Sequence, residues 1–413
     1  MKKQNFLKAT LLSAISLATV ISCSSSDFAK TNDYQSNQSL SSTTSTEADA
    51  EAKRKILNVL SANVIIPAYQ NLYTSTLELQ TALKNLATNV SDNTLLTTAQ
   101  EKWKSNMSVY QQTELFQFGP AGSSSGTIGG QDYRNLIYSW PSTSQCGADT
   151  QLTNQNYANS SFLGGSLVNV KGLDILEYLL FDIDSTNACS DGHTINFDGT
   201  WNTITSELKQ RRADYAVTLI NDIVTKTKSL KEAWETDKGN YINTLVNAGS
   251  VNSPYSSLSA AMDDVFAGMY YLELEVKDDK LGKPAGIIGS NGIDKNSLEA
   301  RYAYISKENI IANIKSFQQM YLGGDPNNHA YGFDDLLKEK SQTELSDSIN
   351  QNLNETINAF EQFSGNLYQS FDSNIEGVKA LYTQLKKVTD QIKNEFSTSL
   401  GLNIPQEGAG DND

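Results

Sequence analysis

Apolar residues recur at helical spacing over long stretches of this chain, and only seven prolines in 413 residues interrupt them. From Ile56, the residues Ile56, Val59, Leu60, Asn63, Val64 and Pro67 step by three and four, and Leu72, Leu79, Leu83 and Leu86 carry the face onward. Leu95, Ala99, Trp103, Met107 and Tyr110 repeat the pattern. Further amphipathic stretches run from about Trp201 to Trp234, Tyr255 to Val276, Leu298 to Tyr321, Ser341 to Phe363 and Phe371 to Phe396. Nothing of comparable length alternates with period two, so the spacing predicts an all-α fold.

Three interruptions are as informative as the helices. Phe118-Gly119-Pro120-Ala121-Gly122 through Gly130 opens a loop that leads to Trp140-Pro141; Lys280 to Asn296 is a second loop, and Gly323 to Gly332 a third. Long connections in helical proteins are commonly functional or wrap another domain. The foldable part, about residues 50–400, is long enough for two domains, and the boundary falls near residues 235–255, after the helix ending at Trp234. The expected organisation is an N-terminal helical bundle over 53–240, a C-terminal one over 241–400, and a disordered tail over 401–413.

At the start, Lys2, Lys3 and Lys8 precede an apolar run from Ala9 to Ile21, too short to cross a bilayer, which reads as a signal peptide over 1–22. Val20-Ile21-Ser22-Cys23 resembles the lipobox of bacterial lipoproteins, which implies lipidation of Cys23. Ser24 to Ala52 is Ser, Thr, Asn, Gln and Asp with hardly any large apolar residue, so it cannot repay its ordering entropy, and 23–52 is expected to be a flexible tether. The partner this implies is a membrane, reached through the lipid, and the place is the bacterial cell envelope: outer membrane, periplasmic side or exposed surface.

Removing residues 1–22 takes away three lysines and no acid, leaving 29 of the 32 basic residues against 47 acids, a formal charge of −18. Nucleic acid and bare anionic membrane are therefore poor partners; the charge favours cationic ligands or metal ions, although solubility is the plainer reason for it as a whole. With Cys23 lipidated, Cys146 and Cys189, each in a turn-rich segment, are the remaining pair, in a compartment where disulfides persist, and closing their loop stabilises by roughly 4 kcal/mol. Metal ligation by the pair with His193, four residues past Cys189, is the weaker alternative because no further ligand completes a set.

The most constrained segment is Lys171-Gly172-Leu173-Asp174-Ile175-Leu176-Glu177-Tyr178-Leu179-Leu180-Phe181-Asp182. Its apolar residues go almost all the way round a helix, as in a buried one. Asp174 and Glu177, three apart, share a face. Buried carboxylates must meet a cation, a metal ion or backbone donors, or share a proton. Gly172 permits close approach of a neighbouring element.

Gly172-Leu173-Asp174-Ile175-Leu176-Glu177 resembles the glycine-x-histidine-x-x-glutamate motif of imelysin-like proteins, with aspartate in place of histidine. Glu114-Leu115-Phe116-Gln117-Phe118-Gly119-Pro120 is similar to the family's glutamate-x-phenylalanine-x-phenylalanine-glycine-proline segment, and Ser139-Trp140-Pro141 to its tryptophan-proline step. Arg212, Tyr215 and Trp234 resemble its next helix. Leu298-Glu299-Ala300-Arg301-Tyr302 and Tyr321-Leu322-Gly323 resemble its glutamate-x-arginine segment and closing turn. The resemblance implies two helical-bundle domains packed side by side with a cleft at their junction, and links to bacterial iron uptake and its components. It places Asp174, Glu177, Glu114, Glu299 and Arg301 as ligand- or metal-binding candidates, with Gly172, Gly119, Pro120, Trp140 and Pro141 as structural positions of the motifs.

Two functions follow. The first is a non-catalytic envelope component that binds iron or another ligand at the junction. The alternative is a metal-dependent peptidase, after the family's old peptidase label. A zinc hydrolase wants paired histidines, whereas this chain has only His193 and His329, both in loop segments. Carboxylates at 174 and 177, with Glu114 or Glu299 near, make an oxygen site suited to a divalent or ferric cation. The competing reading is a buried ion network in which Asp174 and Glu177 pair with Arg301 or Lys171.

Overall fold

A computed structural model describes residues 46–289 and 292–406. The expected signal peptide, Cys23, most of the expected tether and the last residues of the expected tail lie outside the described residues. The chain from Ala50 onward forms one unit. Residues 50–52, counted with the tether by composition, are already helical. At the other end Asn403 anchors the beginning of the tail by donating from its amide and side chain to Asp263, at 3.0 and 2.6 Å.

The long helices are α1 (Ile66–Thr88), α2 (Asn93–Gln111), α3 (Leu173–Phe181), α4 (Leu208–Trp234), α5 (Leu258–Met269), α6 (Ser306–Leu322), α7 (Thr343–Gln362) and α8 (Ile375–Gln391). Their starts follow local chemistry: the Asp92 side chain accepts the Thr94 amide at 2.8 Å, Ser257 that of Ala260 at 3.1 Å, and Asn374 that of Gly377 at 3.1 Å. Each cap satisfies an amide that the first turn leaves without a helical acceptor. The face predicted along α1 is buried through Leu72, Leu79, Leu83 and Leu86, each worth about 1.5–3 kcal/mol on leaving water. The only strands among the described residues are Gly324–Asp325 and Asn328–His329, which pair as a hairpin.

By partner, α1, α2, α3 and α4 pack together, as do α6, α7, α8 and the π-helical segment Leu272–Gly282; α2 against α6 joins the two groups. α3 sits inside the first group, buried from Leu173 to Leu180 as its all-round apolar pattern predicts. Side chains of α2 cap its carbonyls: Trp103 donates to Leu173 O and Gln100 to Leu180 O, both at 2.8 Å.

Four local expectations need correction. The helix expected from Leu298 begins only at Ser306; Ala300 and Tyr304 have positive φ, and the intervening amides turn toward Glu177. Lys280, read as the start of a loop, belongs to the π-helical Leu272–Gly282. The stretch Phe371–Phe396 is broken at Asn374, which ends one helix and caps the next. Cys146, read in a turn, lies in a helix, Gln145–Asn154. It is bonded to Cys189 as expected. Among the described residues no helix is long and apolar enough to cross a membrane.

Candidate functional site

Gly172 sets up the motif. It starts α3 at φ +94°, and a Cβ there would lie 2.6 Å from Asp174 Oδ1 and 3.0 Å from Ile137 O, so only glycine lets the Ser139 segment close on the helix. Asp174 Oδ2 then accepts from Ser139 Oγ at 2.7 Å and Thr143 Oγ1 at 2.6 Å, and Oδ1 from the Ser139 amide at 3.4 Å. One turn on, Glu177 Oε1 accepts the amides of Tyr302 and Ala303 at 2.8 and 2.9 Å. Both acids are buried.

All the partners of these two carboxylates are neutral. Burial raises the pKa of Asp174, against the opposing hydrogen bonds of Thr143 and Ser139. Burial pushes Glu177 up to about 8; the amides of Ala303 and Tyr302 oppose the rise, Glu299 adds to it, and the charge of Arg301, which makes no hydrogen bond to it, opposes it as well. At neutral pH Glu177 is held mostly protonated. The expected ion pairs with Arg301 or Lys171 do not form. Arg301 donates to Asn296 and, at 2.8 Å, to Tyr302 Oη, and Lys171 donates to Leu163 O at 2.8 Å.

Asp174, Glu177, Arg301, Trp140 and Pro141 line one cleft of about 140 Å³, together with Tyr138 and Tyr302. Since Oε1 of Glu177 is taken by two amides, Oε2 is the oxygen left for an occupant of that cleft.

Glu114 and Glu299 sit deeper, in a separate buried network built on Lys280. The ammonium of Lys280 pairs with Glu114 and, at 3.0 Å, with Glu299, and donates to Gln111 Oε1 at 2.6 Å and Asn313 Oδ1 at 2.9 Å. Glu299 also accepts from Gln111, Tyr138 and Asn309. With Lys280 bound to both, Glu114 and Glu299 are not added to Asp174 and Glu177 as a shared ligand set, contrary to expectation. Tyr138 links the two regions: its ring lines the cleft and its hydroxyl donates to Glu299 at 3.0 Å. Gly119 and Pro120 start a short 3-10 turn, where Gly119 is pressed against the Tyr241 ring.

Sequence reasoning missed Lys280, Gln111, Asn309, Asn313, Ser139 and Thr143. A signal existed for Lys280 alone: the three- and four-residue steps of Met269, Leu272 and Val276 carry the apolar face of the preceding helix on to position 280.

The imelysin family model, a peptidase family by its label, matches residues 65–362. The chain belongs to the imelysin family. Iron-regulated protein A of Synechococcus elongatus is 25% identical over 223 residues, 54% of this chain and 52% of that protein, so the match spans about half the relative's length. Two solved structures share the fold. An imelysin-like protein from Psychrobacter arcticum superposes with a TM-score of 0.66 at 18% identity, over 86% of this chain and 98% of that one. A protein described as an iron-regulated protein A precursor, from Parabacteroides distasonis, gives 0.63 at 17% identity over 84% and 95%.

Proposed function

We propose that this imelysin-family chain is a non-catalytic binding component of the bacterial envelope that takes up a cation, free or in a small chelate, in the cleft of Asp174 and Glu177 at the junction of its two helix groups. The observation that carries the reading is Glu177, a buried carboxyl with no cationic hydrogen-bond partner and a pKa of about 8, open to a cleft. A cation entering there replaces the proton and supplies the missing countercharge, so binding and deprotonation are coupled. The names of two relatives mention iron regulation, which makes iron the first cation to test. Oxygen donors suit ferric iron and other hard ions, in keeping with aspartate where the family motif has histidine.

Membrane attachment through a lipidated Cys23 belongs to the same proposal, and Cys23→Ser should release the protein from the membrane fraction. Peptidase chemistry is the less supported reading. His329 lies in the hairpin and His193 beside the disulfide, and neither lines the cleft. Elemental analysis of protein purified without chelator tests the proposal. About one cation per chain that is lost in Glu177→Gln supports it, and equal metal content in the two proteins overturns it.

A further inference from the structure

After α6 the chain turns back on itself. Gly323, left-handed at φ +71°, ends the helix, and the hairpin sets Gly324 opposite His329 and Asp325 opposite Asn328. This return carries His329 up to Asp334 and Asp335 at the beginning of the helix Phe333–Glu339. One ligand atom from each of the three residues lies within 4.8 Å of the others. Another such trio among the described residues, Cys146, Cys189 and His193, has its two sulfurs committed to a disulfide.

The trio carries an unmet demand for positive charge. Asp334 is only 2% exposed; its Oδ2 pairs with Lys338 at 2.9 Å, while its Oδ1 is buried without a hydrogen-bond partner. A buried carboxylate oxygen left unmatched is costly. Gly332 is what allows it to sit there, since a Cβ on that residue would come within 2.7 Å of Oδ1 and 2.5 Å of Tyr321 O. Asp335 uses Oδ2 to accept the Gly332 amide at 3.2 Å, which leaves its other oxygen. His329 Nδ1 lies 3.2 Å from Ala330 O. A carbonyl only accepts, so this contact puts the proton on Nδ1 and leaves Nε2 as the lone-pair nitrogen, the way metal-binding histidines are commonly oriented.

We propose that His329, Asp334 and Asp335 form a binding site for a divalent first-row transition-metal ion, separate from the Asp174–Glu177 cleft. One imidazole and two carboxylates suit such an ion better than Ca²⁺ or Mg²⁺, which take oxygen ligands throughout. His329 is exposed, so water completes the coordination. The site shares no residue with the cleft and stands or falls independently of it.

Co²⁺ is the probe, because its visible absorption reports ligand geometry. It is titrated into the full chain carrying Asp174→Asn and Glu177→Gln, which silences the cleft, and in parallel into wild type. The expected result is saturable binding of one ion in the cleft-silenced protein, weakened at least tenfold by His329→Gln and by Asp335→Asn, and retained under a hundredfold excess of Mg²⁺. His329→Gln alters an exposed side chain and keeps the fold, so its result is readable even if an aspartate variant unfolds. The proposal is overturned if no saturable Co²⁺ binding occurs, if His329→Gln leaves the affinity unchanged in both backgrounds, or if Mg²⁺ displaces the ion.

Discussion

Replacing Glu177 by glutamine should change stability in a way that depends on pH. Glutamine keeps an oxygen for the amides of Tyr302 and Ala303 and has the shape of the protonated acid, but cannot ionise. In the folded protein the carboxyl titrates near 8, against an ordinary value of 4.5. Between these values the folded state holds a proton that the unfolded chain has released. Wild-type stability therefore falls as pH rises through that window, and is flat with respect to this group below about 4.5 and above about 8. The slope is about 1.4 kcal/mol per pH unit, so the whole window is worth on the order of 5 kcal/mol as an upper bound. The difference between Glu177→Gln and wild type should be small at pH 5 and grow to several kcal/mol in favour of glutamine by pH 8.5, read from urea unfolding midpoints with metal chelated. A bound cation should erase most of the gap at pH 8.5 by stabilising wild type alone. A difference that stays constant from pH 5 to 8.5 would mean instead that Glu177 is ionised, or solvated, throughout.

Other outcomes follow from the same geometry. Lys280→Met leaves Glu114 and Glu299 buried without their shared cation and should cost about 3–5 kcal/mol in chemical unfolding, far more than loss of a surface lysine. Gly172→Ala forces a side chain into a φ of +94° against Asp174 and Ile137 O, and should lower the unfolding free energy by about 1–3 kcal/mol. Reducing Cys146–Cys189, 43 residues apart, should remove about 4 kcal/mol on the chain-entropy model, seen as a lower urea midpoint with reductant. The purified chain should not cleave a general protein substrate above background; chelator-sensitive cleavage that disappears in Glu177→Ala would revive the peptidase reading.

Helical periodicity made the fold legible, and the all-round apolar pattern of α3 marked Asp174 and Glu177 as acids that need partners inside the protein. Who those partners are was not legible. Three are main-chain amides, of Tyr302, Ala303 and Ser139, and two are hydroxyls of Ser139 and Thr143, and neutral donors on irregular segments leave no periodic trace. Arg301 looked like the partner because charge invites pairing in sequence, yet its guanidinium is used by Asn296 and Tyr302 beside it. The amides that serve Glu177 also explain why α6 starts later than its apolar period suggests: a helix through Tyr302 would draw both into its own ladder. Lys280 was hidden by the glycines that follow it, which read as a loop although the helical segment runs on to Gly282.

On the proposed function, a cation binds the cleft by displacing the proton of Glu177. Calorimetric titration of Mn²⁺ at pH 7, in two buffers of different ionisation enthalpy and with His329→Gln in the background, counts protons released per ion bound. Close to one proton should be released per ion, falling to near zero together with the affinity in Glu177→Gln. Mn²⁺ binding with no proton release, or binding unaffected by that substitution, would contradict it.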